Sequence, residues 1–279
     1  MAGRLSTTTE ETTVKTYRLP PWATGVLGGA ALIAIWWISA LTVFANTGAG
    51  ANRAIPTPPE VIAGFAESGF EYYWRNFSVT LVEAAQGYLW GNGIALLLAA
   101  IVLLLPRLEG AVMQLAIITY CVPIVAIGPL ALIIIGAPAA GEPSGTAVFL
   151  AALSVFFTTV VGSLLGLKAA DAASLDVVSV YGGSRFTQLV KVRLIAALPH
   201  ILNALQIAVP AAFLGAVLGE FFGKVELGVG PAMIAAQQGL DAARVWGIAL
   251  VCGAVALLGF ALLGLVARAV APWARGRSN

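Results

Sequence analysis

Long apolar runs alternate with short polar connections along the chain, and this pattern predicts about six transmembrane helices. A helix needs roughly 20 predominantly apolar residues to cross the hydrocarbon core of a bilayer. Runs of that length cover approximately 22–45, 77–105, 110–136, 146–167, 197–222 and 244–267. We therefore predict an all-α membrane protein with a transmembrane domain at 22–270, flanked by terminal tails at 1–21 and 271–279.

Prolines mark two places where the helices depart from simple spans. Pro58-Pro59 predicts the start of a helix before the second span. We interpret this helix as an amphipathic segment on the membrane surface, with an apolar side formed by Val61, Phe65, Phe70 and Trp74. In the third span, Pro123 and Pro129 each lack a backbone donor, so we expect a kink or a break there.

Composition supports lipid as the solvent and excludes several classes of protein. Hydrophobic residues make up 59% of the 279 residues and charged residues only 10%, whereas a soluble domain has about 25% charged residues. The net charge of +2 is too small to indicate nucleic-acid binding. Cys121 and Cys252 both lie in apolar runs, which indicates packing rather than a disulfide or metal framework.

The distribution of Lys and Arg predicts the orientation, because cytoplasmic loops carry the excess of these residues. With the N-terminus inside, eleven basic residues are cytoplasmic and four are external. The cytoplasmic set is Arg4, Lys15, Arg18, Arg107, Lys168, Arg185, Lys191, Arg193, Arg268, Arg275 and Arg277. The external set is Arg53, Arg75, Lys224 and Arg244. An even number of spans then places both termini in the cytoplasm.

The longest cytoplasmic loop, residues 168–199, has the pattern of a helical elbow. Leu175, Val178 and Tyr181 recur at three-residue spacing, which predicts a short helix with one apolar face. Gly182-Gly183 can end this helix in a sharp turn, and Ser184 is a suitable N-cap for a second helix. The apolar residues of that second helix are Phe186, Leu189 and Val190. Such an elbow can bind a partner protein, or it can be an interfacial turn that binds nothing.

The loop resembles the coupling loop of the permeases, or membrane subunits, of binding-protein-dependent ABC importers. Their pattern is Glu-Ala-Ala, three residues, Gly, nine residues, Ile, any residue and Leu-Pro. Asp176-Val177-Val178 stands at the Glu-Ala-Ala position, and Gly182 stands at the Gly position. Val192 and Leu194 match the later apolar positions.

This loop also departs from the family pattern. Asp replaces Glu, two Val residues replace two Ala residues, and Ile195 stands where the first Pro belongs. Pro199 keeps a second Leu-Pro that is common in one branch of the family. The departures leave the elbow intact, but they can alter the fit of an ATPase partner.

Other segments resemble the branch that imports nitrate, taurine, alkanesulfonates, bicarbonate and thiamine-precursor pyrimidines. The resemblance covers roughly residues 22–270, and its clearest segments are 55–61, 122–130 and 215–223. It implies a type I ABC importer-like transmembrane domain with a cytoplasmic coupling elbow, in the inner membrane, for a small solute such as a sulfonate, a nitrate-like anion or a vitamin precursor.

The resemblance also implies the partners and the division of labour. This subunit would hydrolyse nothing and hold no cofactor or metal, while two cytoplasmic ATPase subunits would use ATP and Mg. A second permease copy, expected as a homodimer from the family pattern, and an extracytoplasmic solute-binding protein would complete the complex. The residues assigned to ATPase coupling are Asp176, Val178, Tyr181, Gly182, Arg185 and Pro199. Arg185 can alternatively hold the loop at lipid phosphates.

Polar residues within apolar spans are candidates for the solute pathway. The candidates are Thr119, Tyr120, Thr158, Thr159, Gln206 and Glu220. Hydrogen bonding between helices, or back to a local carbonyl, is the alternative role for each of them. Glu83 and Glu220 lie near span ends, where we expect water to reach them. The four-residue spacing of Gly215, Gly219 and Gly223 favours close helix packing, either within the chain or across a dimer.

Two other classes of transporter are alternatives. The membrane scaffold subunit of an energy-coupling vitamin importer also has cytoplasmic coupling helices, but its Ala-Arg-Gly or Ala-Arg-Ser signals are absent from this loop. An ion-coupled secondary transporter or channel predicts inverted repeats or a mid-span ionisable relay, and the sequence shows neither. Co-purification with an ATPase distinguishes the importer from an ion-coupled transporter.

Overall fold

The computed structural model describes residues 20–48, 53–139 and 141–273, and every regular element in these ranges is helical. Most residues of the predicted tails at 1–21 and 271–279 lie outside these ranges. The helices are α1 (Pro21–Leu41), α2 (Pro58–Leu104), α3 (Glu109–Cys121), α4 (Ile124–Ile135), α5 (Gly145–Lys168), α6 (Ala172–Val180), α7 (Arg185–Gln188), α8 (Leu194–Phe222), α9 (Val229–Gln238) and α10 (Ala242–Val270).

Five helical segments of the described chain are long and apolar enough to cross a membrane, and α3 and α4 together supply a sixth crossing. The α3–α4 pair is bent by 95°. At the start of α3, Glu109 forms an ion pair with Lys168 at the end of α5, with 2.5 Å between the charged atoms. At the other end of the pair, Ile135 packs against Gly145 at the start of α5. The bent pair therefore runs the length of α5, which supports the prediction of about six spans.

These contacts define two ends of the helix bundle. The end that carries Lys168, Glu109 and α6 is called the elbow end. The opposite end, where α5 begins and α8 ends, is called the far end. The helices α2 and α10 run from the far end to the elbow end, as α5 does, whereas α8 runs the opposite way. Successive spans therefore connect the two ends in turn.

The broken third span confirms one sequence prediction and refines it. The helix breaks at Val122-Pro123, where Pro123 becomes the N-cap of α4. Pro129, by contrast, lies inside α4, and the helix continues through it. A proline inside a helix removes one intrahelical hydrogen bond, and in a membrane protein the packing of neighbouring helices can offset this cost.

The core forms along α5, which lies between α2 and α8. Small residues allow this close approach, because a Cβ added at Gly219 would overlap the backbone of Ala147. A Cβ at Gly215 would lie 2.7 Å from the carbonyl oxygen of Leu150. The glycine spacing on α8 therefore serves packing within the chain, which decides between the two predicted alternatives.

The start of α2 agrees with the sequence, but its predicted apolar side is wrong. Thr57 caps the helix in a capping box with Glu60, and the two prolines follow as its first turn. Gly69 then adopts φ 73° and ψ 158°, which breaks the helical phase. The apolar set consequently divides, with Val61 buried and Phe65 stacked on Tyr73, while Phe70 and Trp74 face outward.

The fifth span begins earlier than predicted. Instead of starting near residue 197, helical structure runs without interruption from Arg185 to Phe222 over 38 residues. A π-helical segment at Leu189–Arg193 joins α7 to α8. The predicted second helix of the elbow thus forms the first turns of the fifth span. Hydropathy alone would begin this span later, because the polar residues Gln188, Lys191 and Arg193 lie in its first turns. The first span is shorter than predicted and ends at Leu41 rather than residue 45.

Candidate functional site at the elbow and the spans behind it

The elbow, residues 171–193, is shaped by caps at both ends of α6. The Asp171 carboxylate accepts a hydrogen bond from the Ser174 backbone N–H at 3.3 Å, which caps the N-terminus. At the C-terminus, Gly182 has φ 76°. The N–H groups of Gly182 and Gly183 donate to the carbonyls of Ser179 and Val178, as in a Schellman motif. The sequence prediction of a glycine turn after Tyr181 is confirmed.

A cross-link between the two arms of the elbow was not predicted. Gln188 on α7 donates from Nε2 to the Ser179 hydroxyl at 2.7 Å and to the Leu175 carbonyl at 3.3 Å. Ser184 caps α7 as expected, accepting from the Thr187 N–H. Gln188 belongs to the arm that continues into the fifth span, and both hydrogen bonds from its side-chain amide reach α6. Gln188 therefore fixes the angle between α6 and that span. A polar residue at a helix start gives no sequence signal for such a contact.

The elbow presents apolar side chains at the elbow end of the molecule. Tyr181 and Val180 are 87% and 83% exposed, and Phe186 is also largely exposed. Val178 differs from its predicted position on this surface, because its Cγ1 packs into the turn at Gly183. Asp176 and Arg185 are exposed, and neither forms an ion pair within the described ranges. The exposed side chains of Val177, Val180, Tyr181 and Phe186 are together called the apolar knob.

Pro199 lies apart from the knob, in the interior of α8. It lines a cavity of about 230 Å³ between α8 and α10, together with Asn203, Gln206 and Arg268. Its assigned coupling role stays a prediction, and any such role would act through α8 rather than through direct contact at the turn.

Hydrogen bonds within the chain engage four of the six predicted pathway residues: Thr119, Thr159, Gln206 and Glu220. The Thr159 hydroxyl is fully buried and donates to Asn92 Oδ1 on α2 at 2.5 Å. Gln206 Nε2 donates to the Phe260 carbonyl on α10 at 3.2 Å. Thr119 donates to the Ala116 carbonyl within α3. These bonds join helices or return to a local carbonyl, which is the alternative role considered for this set.

Two other pathway candidates remain open to the surroundings of the chain. Tyr120 is exposed and stacks on Phe157, with 4.4 Å between the ring centroids. Thr158 is half-buried on α5, next to Phe157 in sequence. Tyr120 is the second-last residue of α3, next to the break before α4, and the pathway role of both residues stays a prediction.

The predicted access of water to Glu83 and Glu220 is wrong. Their side chains are 0% and 2% exposed, although Glu220 lies only two residues from the end of α8. The loop before α9 and the start of α5 cover this end of the bundle. Glu220 accepts from the Gly230 N–H at 2.6 Å, and Glu83 accepts from the Ser144 N–H at 2.6 Å. Hydropathy along the sequence could not reveal this cover, since α9 is short and was not predicted.

Comparisons with known proteins identify a family and several relatives of this chain. Residues 91–276 match the family described as binding-protein-dependent transport system inner membrane component. A probable ABC transporter permease protein of Haemophilus influenzae is 32% identical over 167 residues, which are 60% of this chain and 66% of that relative. The putative aliphatic sulfonates transport permease protein SsuC of Bacillus subtilis is 27% identical over 255 residues, 90% of this chain and 88% of its own length.

A third relative is named for the transport of a different solute. The formylaminopyrimidine transport permease protein ThiX of Halalkalibacterium halodurans is 24% identical over 242 residues, covering 87% of this chain and 92% of that protein. The family match covers more than half of the chain and includes both the elbow and the spans behind it. This chain belongs to the family of inner membrane components of binding-protein-dependent transport systems, and it is a non-catalytic permease of the ABC type.

Proposed function

We propose that this chain forms the solute pathway of an ATP-driven importer and that the elbow transmits the action of separate ATPase subunits. One observation carries this proposal: the apolar knob is joined directly to a span. The knob projects from the elbow end, and Arg185–Phe222 runs from it to the far end as one helical segment. Force applied at the knob would therefore move a whole span rather than a flexible loop.

The exposed apolar surface of the knob favours a protein partner. Tyr181 and Phe186 are large aromatic side chains of the kind that dominate binding at protein interfaces. Asp176 and Arg185 lie beside them, form no ion pair with the rest of the described chain, and can pair with charges on an ATPase. A lipid-facing role is less favoured, because the elbow also carries Lys191 and Asp171 and belongs to the polar end of the bundle.

Charge supports a cytoplasmic position for the elbow end. Among the described residues, six basic side chains lie at or beside this end and four at or beside the far end. The first set is Arg107, Lys168, Arg185, Lys191, Arg193 and Arg268; the second is Arg53, Arg75, Lys224 and Arg244. The positive-inside rule therefore supports a cytoplasmic position for the elbow and, with an even number of spans, for both termini.

The pathway in this proposal lies between this chain and a second permease, with a homodimer as the simplest arrangement. Tyr120 is exposed and Thr158 is half-buried in this chain, so both side chains remain accessible to a second copy. A second copy would bring the same residues to the opposite wall. An extracytoplasmic solute-binding protein would deliver the solute at the far end.

The proposed solute is a small polar molecule of the type named for the relatives, either an aliphatic sulfonate or a pyrimidine precursor; a nitrate-like anion is a further candidate. The named pathway candidates Thr119, Tyr120, Thr158 and Gln206 are uncharged. A fixed anion site would be expected to use a buried Arg or Lys. This composition favours the uncharged pyrimidine class over the sulfonates.

A test of the function begins with the native complex purified in lipid nanodiscs. The proposal predicts that an ATPase co-purifies and that reconstituted vesicles take up solute only with ATP. Labelled aliphatic sulfonate, formylaminopyrimidine and nitrate, each with its binding protein, identify the solute class. Uptake that persists without ATP, in a preparation that contains no ATPase, would overturn the proposal.

A further inference from the structure

Two carboxyl groups meet in a closed site at the far end, at the junction of α2, α5, α8 and α9. Glu83 on α2 and Glu220 on α8 lie within hydrogen-bonding reach of each other. Neither side chain has appreciable solvent exposure. Two like charges in contact are unfavourable in water, and far more so in a site of low dielectric constant.

Two hydrogen-bond donors reach the carboxyl group of Glu220. Its Oε1 accepts from the Thr80 hydroxyl at 2.5 Å, and its Oε2 accepts from the Gly230 N–H at 2.6 Å. Thr80 is itself oriented by the Val229 N–H, which donates to its Oγ1 at 2.9 Å. These bonds suit a carboxylate, so Glu220 is the better candidate for the ionised partner.

Glu83 has the complementary pattern. Its Oε1 accepts from the Ser144 N–H, whereas its Oε2 is buried and has no donor among the described residues. A buried oxygen without a donor is costly for a carboxylate but natural for the hydroxyl of a carboxylic acid, which is itself a donor. Its available acceptor is the neighbouring Glu220.

No positive charge neutralises the pair within the part of the chain that the structure describes. Neither glutamate forms an ion pair. The titratable group that faces the pair from α10 is the Cys252 thiol, while α5 and α9 contribute the uncharged Ser144 and the backbone of Gly230. The nearby charged side chains are Glu142, Lys224 and Glu226, which line a cavity beside Glu83.

We propose that Glu83 and Glu220 form a binding site for one proton, carried on Glu83 Oε2 and donated in a hydrogen bond to the Glu220 carboxylate. The site then has a single negative charge, stabilised by the Thr80 hydroxyl and the Gly230 N–H. It ties the start of α5 and the start of α9 to α2 and α8. Release of the proton places two anions in contact and weakens this junction.

The proton has a route from the far end. A cavity of about 380 Å³ lies between α2, the α4–α5 connection and the α8–α9 connection, and Glu83 forms part of its wall. Glu142 and Glu226, which also line this cavity, are exposed. A small displacement of the wall would admit water to Glu83. Binding of a proton at this site does not require the coupling role proposed for the elbow.

The test uses the purified full-length complex in lipid nanodiscs, with Glu83→Gln as the central variant. The amide introduced by this substitution donates to Glu220 without needing a proton, while its oxygen still accepts from Ser144. We expect the Tm of the wild type to fall by several degrees from neutral to alkaline pH and the Tm of Glu83→Gln to change much less. Glu142→Gln, an exposed neutralisation at the same cavity, should retain the wild-type pH dependence.

Infrared spectroscopy with isotope-labelled glutamate supplies the second readout. The wild type at neutral pH should show the C=O stretch of a buried carboxylic acid, and this band should vanish in Glu83→Gln and at alkaline pH. Absence of the band in the wild type would overturn the proposal even if the variant did not fold. Stabilisation by sodium at constant pH, without the band, would also overturn it and identify a metal cation in place of the proton.

Discussion

The elbow and the far-end junction use polar contacts in opposite ways. At the elbow, Asp171, Ser184 and Gln188 make exposed hydrogen bonds that set the shape of two short helices, while large apolar side chains remain uncovered. At the junction, Glu220 and Thr80 are buried and bonded across helices, and little surface is left free. The elbow is thus shaped to contact another molecule, and the junction is shaped to hold this chain together.

The difference has a mechanical consequence, because one helix connects the two regions. Arg185–Phe222 begins in the elbow and carries Glu220 two residues before its end. A displacement at the elbow therefore reaches the junction without passing through a flexible connection. A substitution at the junction should therefore lower the stability of the chain, whereas one at the elbow should affect only the proposed coupling.

The largest expected effect lies in the packing of α8 on α5. Gly219→Leu would push a side chain into the backbone of Ala147, and we expect a loss in the free energy of unfolding of about 3 kcal/mol or more. Gly253→Leu is the matched control, since no atom lies within 4 Å of a Cβ at that position on α10. Thermal unfolding in lipid measures both variants; equal losses would contradict the packing described for α8.

The next effect concerns the junction itself. Glu220→Ala removes the acceptor of the Thr80 hydroxyl and the Gly230 N–H, and each unsatisfied buried donor costs about 1–3 kcal/mol. We expect a correspondingly lower free energy of unfolding and faster hydrogen exchange at the start of α9. Glu226→Ala changes an exposed position of the loop between α8 and α9, and it should leave the free energy of unfolding and the hydrogen exchange nearly unchanged. Unaltered exchange at α9 in Glu220→Ala would show that this carboxylate does not hold the junction.

At the elbow, the expected effect is on association rather than on stability. Tyr181→Ala removes an aromatic side chain that is exposed in this chain, so unfolding should change little. If Tyr181 is a binding hot spot, its loss costs about 2 kcal/mol or more, equivalent to roughly 30-fold weaker association with the ATPase. Binding of the ATPase to nanodisc-embedded permease gives the measurement. Phe70→Ala, an exposed aromatic at the far end, is the control.

The smallest expected effect comes from the cross-link within the elbow. Gln188→Ala removes one exposed and one partly buried hydrogen bond, each worth about 0.5–1.5 kcal/mol, so the chain should remain folded. The angle of α6 becomes less defined, and we expect more ATP hydrolysed per solute imported. Lys191→Ala provides a control on the same arm of the elbow. A normal ratio in Gln188→Ala would assign the angle to other contacts.

The sequence predicted elements whose causes are local. Apolar runs of membrane length located the spans, Pro123 located the break, and Gly182-Gly183 with Ser184 located the turn of the elbow. What it could not predict depends on contacts between distant residues. The burial of Glu83 and Glu220 requires α9 and the start of α5 to cover them. The stacking of Phe65 on Tyr73 joins residues on either side of the irregular Gly69. The Gln188 contact arises only after the turn is closed.

Site-specific photo-cross-linking tests most directly whether the elbow is the ATPase contact. A photoreactive amino acid replaces Tyr181 in one variant and Phe70 in another, because both side chains are highly exposed, at 87% and 79%, and lie at opposite ends of the molecule. In native membranes, we predict that position 181 cross-links to the ATPase and that position 70 does not. A cross-link to the ATPase from position 70, or none from position 181 in an intact complex, would contradict the proposed coupling role of the elbow.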